Sequence, residues 1–502
     1  MAGRKPWQPP RPKRHPRSSC YFTQGTGPLA ATVPFSHMSR PPSRIVQALA
    51  ELGPRFLPFA DAASPDLPLA RLLRLSLFQV SVAMALVLLV GTLNRVMIVE
   101  LQVPASLVAV MVALPLLFAP LRALIGFRSD HHRSELGWRR VPYIWMGTLL
   151  QFGGLAIMPF ALLVLARAGA SASAPAWVGY LAAAIAVLLV GAGLHTVQTT
   201  GLARATDLAP REDQPKVVGF MYSMLLIGTI GSAFIFGECL AEYSPGRLVQ
   251  VIQGCAVATL VLNVTAIWKQ ESRSRDRKPR ARREGDPDFR TAWQVLKGRD
   301  RALRRLAALA LGTMAFTMED VLLEPYGGEI LGMSVSSTTF LTATLALGGL
   351  IGFAWASRVL GRGGDPWRMA SAGAWVGVPA FVAVIVAAPM TAPGLFVAGT
   401  FLIGLGGGLF GHGTLTSTMQ MAPPEQVGLA LGAWGAVQAT AAGLAMGLGG
   451  IFRDVIASSW GALVGYEVVY GIEILLLLGT LALMAPLLQP APTPSNDPRR
   501  HP

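Results

Sequence analysis

The chain has 502 residues, 52% of them hydrophobic and 14% charged, with a mean hydropathy of +0.49. That balance excludes an ordinary soluble domain and directs the reading to membrane spans. The formal net charge is +15, but the Lys and Arg residues cluster in alternate loops between apolar runs. Such a distribution argues against nucleic-acid binding and follows the positive-inside pattern of membrane proteins.

In chain order, residues 1–43 read as a disordered tail: the first 37 are rich in Pro and Arg and lack the apolar stretch of a signal peptide, and Met38 is a candidate start codon. Residues 44–76, where Leu and Phe alternate with Arg, read as a cytoplasmic or interfacial lead-in. Six runs of about 20 apolar residues follow, each enough to cross a bilayer as a helix: 77–99, 106–126, 141–166, 175–198, 216–240 and 247–268. These make an N-terminal half, 77–268. A basic stretch, 269–303, reads as a cytoplasmic linker. Six more runs, 304–323, 334–357, 368–388, 393–413, 426–449 and 465–487, make a C-terminal half, 304–488, before a cytoplasmic tail, 489–502. Arg128, Arg133, Arg139 and Arg140 lie between spans 2 and 3, Arg204, Arg211 and Lys216 between 4 and 5, and Arg358, Arg362 and Arg368 between 8 and 9. Both termini are therefore expected in the cytoplasm.

Internal similarity supports a duplication. "GAGLHTVQTTGLARATDLAP" from Gly191 and "GLGGGLFGHGTLTSTMQMAP" from Gly404 share Gly-x-Gly and an Ala-Pro at one offset. The expected fold class is an all-α integral membrane protein of twelve spans, two six-helix halves meeting around a central mid-membrane cavity. Gly404, Gly408 and His412, at four-residue intervals, read first as a close helix packing face.

Polar residues inside the spans carry the functional argument, because in lipid they must face the bundle interior or an aqueous cavity. Span 1 has Asn94 and Arg95, span 4 has His195 and Gln198, span 10 has His412 and span 11 has Gln438. Span 7 carries Glu319, Asp320 and Glu324 in "FTMEDVLLEP", although a carboxylate at the bilayer centre costs at least ~2.5 kcal/mol. In a continuous helix Asp320 and Glu324 share a face, with Glu319 turned about 100° from Asp320. Pro325 then ends or kinks the helix and "YGGE" reads as a wet turn. Arg95 and Asn94 are the expected partners of Glu319 and Asp320. Three roles stand open for the acidic group: a salt bridge between the halves, a substrate or pigment contact, and a proton-coupling carboxylate. For His195 and His412 the readings are a histidine hydrogen-bonded within the bundle and an axial ligand to a magnesium porphyrin.

No phosphate loop, serine elbow or metalloenzyme motif is present, so no catalytic residue is expected and the chain does not read as an enzyme. Cys20, Cys239 and Cys255 have no metal-ligand or disulfide spacing.

The loop "GFRSDHHRSELGWRR" resembles the motif that major facilitator transporters carry between spans 2 and 3, through Gly126, Asp130, Gly137, Arg139 and Arg140. It departs by four extra residues after Asp130, by His131 in place of a basic residue, and by Trp138 before the Arg pair. Gating by this loop is thereby in doubt, while the architecture stands. With "ATDLAPREDQPKVVGFMYSMLLIGTIGSA" and "FTMEDVLLEPYGGEILGMSVSSTT", the segment starting "RALIGFRSDHH" resembles the PucC and LhaA proteins of purple photosynthetic bacteria, the bacteriochlorophyll-delivery branch of that superfamily. The resemblance runs from about Arg44 to about Leu488. It implies an assembly factor for light-harvesting antenna complexes in the photosynthetic inner membrane. Bacteriochlorophyll would be cargo rather than a tightly held cofactor, and the partners would be antenna polypeptides, pigment-synthesis enzymes and membrane lipid. The residues alone leave a rival, a cation-coupled secondary transporter with Glu319 or Asp320 as the coupling site.

Overall fold

A backbone in lipid must satisfy its own polar groups, so long apolar runs become helices. The computed structural model describes residues 67–117, 138, 140–167, 173, 175–210, 213–271, 301–421 and 427–488. These lie in the compact unit Ala48–Pro502; the other unit, Met1–Gln47, lies outside the described residues. They form α1 (Leu69–Glu100), α2 (Ala105–Leu117), α3 (Val141–Leu165), α4 (Ala176–Leu208), α5 (Gln214–Cys239), α6 (Pro245–Ile267), α7 (Ala302–Glu329, interrupted), α8 (Val335–Gly361), α9 (Pro366–Ala387), α10 (Pro393–Met421), α11 (Val427–Trp460) and α12 (Ala462–Met484). Eleven are long and apolar enough to cross a membrane, and α2 is shorter over its described residues. The protein is a multi-pass membrane protein.

The helices overrun the apolar runs because the polar ends of a span continue in helical form beyond the lipid core. α4 ends at Leu208 rather than 198, α10 at Met421 rather than 413 and α11 at Trp460 rather than 449. α1 starts at Leu69 rather than 77, where Leu72 and Leu75 already bury themselves in the bundle. The end of the expected lead-in is therefore part of the first span. The remaining lead-in, both tails, residues 272–300 and the loop motif at Gly126, Asp130, Gly137 and Arg139 lie outside the described residues.

Within the first six helices α3 packs on α4 and α6, and α1 on α4, α5 and α6; within the last six, α10 packs on α8 and α9, and α12 on α7, α9 and α11. The sets meet along two main seams, α2 against α11 and α5 against α8, and α1 also touches α7 and α8. At the end bearing the basic loops, the start of the expected linker is pinned. Glu271 accepts the backbone N–H groups of Arg140 and Val141 at 3.1 Å each, capping the first turn of α3. Arg140 Nε donates to Asp207 of α4 at 2.7 Å, and Arg71 of α1 to the side-chain oxygen of Gln270 at 3.1 Å.

The four-residue glycine spacing is a packing device. A Cβ on Gly404 would overlap the Leu345 carbonyl, and one on Gly408 the Gly349 carbonyl, so α10 and α8 touch backbone to backbone. Replacing Gly404 with Leu should push these helices apart at a cost of about 1–3 kcal/mol, read as a lower thermal midpoint of the detergent-solubilised protein. An unchanged midpoint would show that the seam has room.

Candidate functional site

α7 is helical from Ala302 to Thr317, tightens into a 3-10 turn at Glu319–Val321 and resumes over Leu323–Glu329. Pro325 explains the interruption. Without an N–H it cannot donate to the carbonyl four residues back, that of Val321. Asn94 of α1 supplies the donor, its Nδ2 lying 2.6 Å from the Val321 oxygen. The break thus falls upstream of the proline, and the expected turn at Tyr326–Glu329 is helical. It also falls between Asp320 and Glu324, which therefore do not share one face of a continuous helix.

Arg95 does not meet Glu319 or Asp320. Its guanidinium bonds to Glu100 at 2.6 Å and donates to the Met333 carbonyl at 3.1 Å. The physical reason is the winding of α1, which is π-helical over Val87–Leu93 and Val96–Glu100; five residues then make about one turn, and positions 95 and 100 stack. Close by, burial and then the Glu100 carboxylate push the Tyr243 phenol, between α5 and α6, above its ordinary value, against a smaller opposing effect of Arg95.

Glu329 is exposed, as a wet position should be, but it is helical and paired rather than in a free turn. It accepts from Arg453 of α11 and, at 2.8 Å, from the Tyr466 hydroxyl of α12. Arg453 also bonds to Asp454 at 2.9 Å and lies 4.7 Å over the Tyr466 ring, while Asp454 accepts the Ser106 N–H at 2.7 Å. One network therefore ties α2, α7, α11 and α12 together at the end of the bundle away from the basic loops.

Between the two ends lies a cavity of about 780 Å³, walled by α1, α2, α4, α5, α7, α8, α10 and α11. Its surface is mostly apolar, with Phe316, Trp434 and Met446 beside Glu319, Asp320, Glu324, His195 and Gln198. Glu324 is 2% exposed, accepts from Thr342, and its carboxyl stands where a Cβ on Gly91 would sit. Only glycine allows that approach. Glu319 is 1% exposed with one carboxyl oxygen lacking a hydrogen-bond partner, and neither Glu319 nor Asp320 has an ion pair among the described residues. His195 faces the cavity, whereas His412 does not line it and packs its ring 4.3 Å from that of Phe353 on α8. Among the described residues no cluster of His, Cys, Asp or Glu has metal-binding geometry.

Sequence reasoning missed Glu473. It lies on α12, fully buried, beside the backbone of Glu319 and within electrostatic reach of Glu319 and Asp320. The signal was available, a single acid inside the apolar run "VVYGIEILLLL". Arg453 was missed because it falls just beyond the apolar run that marks span 11.

The arrangement of the helices is the fold of major facilitator transporters. The structure is similar to a D-xylose–proton symporter, with a TM-score of 0.61 at 14% identity over 82% of this chain and 96% of that one. It is also similar to a bacterial homologue of the human lysosomal transporter Spinster in an inward-facing, unoccupied conformation, with a TM-score of 0.60 at 14% identity over 83% and 95%. At such identity the likeness establishes the fold alone. Within that fold the chain belongs to the PucC family, whose description, "PUCC protein", matches residues 92–491. It is 63% identical to Protein PucC of Rhodovulum sulfidophilum over 84% of this chain and 92% of that one, and 59% identical to Protein PucC of Rhodobacter capsulatus over 88% and 97%. A more distant relative, 26% identical over 83% and 94%, is the bacteriochlorophyll synthase 44.5 kDa chain of Rhodobacter capsulatus.

Truncating Glu329 to Ala should destabilise the protein by about 1–3 kcal/mol, because it strips a charged partner from a mostly buried guanidinium. Losses from Glu329→Ala and Arg453→Met should be clearly less than additive in the double variant. Strictly additive shifts in thermal midpoint would show that the pair does not hold this end together.

Proposed function

We propose that this protein is a non-enzymatic assembly factor for light-harvesting antenna complexes, which handles bacteriochlorophyll in its central cavity and escorts antenna polypeptides along its lipid-facing helices. The cavity carries the proposal: about 780 Å³ of mostly apolar wall with a few placed polar groups suits a large hydrophobic ring system. The relative named for bacteriochlorophyll synthesis supports the same chemistry. The cell site is the photosynthetic inner membrane, and His195 is the cavity's candidate contact for the ring metal.

The rival reading, a cation-coupled secondary transporter, draws on one observation, the unpaired acids of α7 on the cavity wall. Proton-driven solute uptake into proteoliposomes would favour it. For the assembly reading, a deletion strain should lose antenna absorbance while still making free bacteriochlorophyll. The purified protein should carry pigment and antenna subunits, with less pigment in His195→Phe. Normal antenna levels in the deletion strain would sink the proposal.

Topology is argued from charge: Arg140, Arg204, Lys216, Arg358 and Arg362 fall in the alternate loops that carry the basic residues, as does the 269–303 linker in sequence, and this favours a cytoplasmic position for those loops and for both termini. A reporter active only in the periplasm should stay silent when fused within residues 272–300, and activity there would reverse the orientation.

A further inference from the structure

The cavity is unusual in the sign of its charge. Three carboxyl-bearing residues of α7, Glu319, Asp320 and Glu324, stand on its wall, and among the described residues no Lys or Arg lines it. Arg95, on the same helix as the lining residues Leu86–Gly91, is bonded to Glu100 and the Met333 carbonyl. Arg453, on the α11 that also lines the cavity, is bonded to Glu329 and Asp454. Glu319 and Glu324, nearly fully buried, each keep a carboxyl oxygen without a hydrogen-bond partner. The α-helical part of α7 ends at Thr317, a cavity residue, and a helix C-terminus carries partial negative charge.

We infer that the cavity selects a bulky hydrophobic ligand bearing positive charge, formal or partial, and rejects hydrophobic anions. The inference rests on the reading of the cavity as the cargo site and narrows the cargo's chemistry. Low-dielectric walls focus the field of the acids into the space they enclose. Whether an individual acid holds a proton or not, none offers an anion a positive partner, and the neutral donors of the wall, such as the Gln198 amide, replace only part of the hydration an anion would lose. A magnesium ring with its acid groups esterified meets this condition, and the same ring with a free carboxylate does not.

Tetraphenylphosphonium and tetraphenylborate, a cation and an anion of nearly one shape, test the inference without pigment. Equilibrium dialysis of the detergent-solubilised full-length protein should show saturable phosphonium binding, with the borate at least about tenfold weaker. The triple variant Glu319→Gln, Asp320→Asn, Glu324→Gln should bring the two affinities to within about twofold. Asp320→Asn alone should narrow the gap, and serves where the triple variant does not elute as a single species. Borate binding as tightly as phosphonium, no saturable phosphonium binding, or an unchanged ratio in Asp320→Asn would overturn the inference. The outcomes separate the two claims: a clear cation preference in a protein that never carries pigment defeats the pigment reading alone, while bound pigment without charge preference defeats this one alone.

Discussion

A proline inside a membrane span leaves a backbone carbonyl that lipid cannot satisfy, and the centre of this protein is arranged around one such group. Pro325 frees the Val321 carbonyl, and Asn94 reaches across from α1 to donate to it. That contact fixes the side-by-side position of α1 and α7. It also lets α7 break where it does, placing Glu319 and Asp320 on a tight turn and Glu324 at the start of the helix that resumes after it. Gly91 on α1 then accommodates the Glu324 carboxyl at a distance that a larger side chain would forbid.

The two ends of the bundle are closed by different means. At the basic end, Glu271 caps α3, while Arg140, Arg71 and Arg204 anchor α4 and the start of the linker through Asp207 and Gln270. At the other end, Arg453 gathers α2, α7, α11 and α12 through Glu329, Asp454 and the ring of Tyr466. Between them, backbone contact at Gly404 and Gly408 keeps α8 and α10 together with little side-chain bulk. Polar pairing at the ends and small residues in the seams leave the middle free to be hollow.

How much of this was legible follows from what each feature depends on. The spans were visible because hydropathy is a sum over about 20 residues and tolerates local errors. Helix ends were not, since a helix continues into polar sequence that no longer registers as a span. Asn94 was correctly placed opposite α7, but its partner is a carbonyl, a group sequence shows at every residue and therefore singles out nowhere. Arg95 was assigned to the acids of α7 because span 1 is the counterpart of span 7 in a six-plus-six fold, whereas α1 is wound as a π-helix and brings Glu100 round to the same side. The Tyr326–Glu329 stretch looked like a turn because of Gly327, Gly328 and Pro325, whereas a short helix survives there by packing Tyr326 against Phe396, Tyr466 and Tyr470, with Glu329 still exposed at its end. Tertiary contact overrode local propensity.

The acids of α7 can be weighed by what surrounds them. A salt bridge between helices needs a cation, and the guanidiniums of Arg95 and Arg453 are both committed to other carboxylates. Glu473 adds a further buried acid where a structural pair would have placed a base. Retaining several carboxyls without a counter-charge is destabilising, and the fold gains no ion pair from Glu319 or Asp320 to offset it. Groups that weaken a membrane bundle and line its cavity have the character of a working surface rather than a brace. The salt-bridge role is therefore left without a geometry for Glu319 and Asp320 among the described residues. The proposed contact to cargo and the rival coupled cation would each ask these two acids to receive positive charge from outside the bundle.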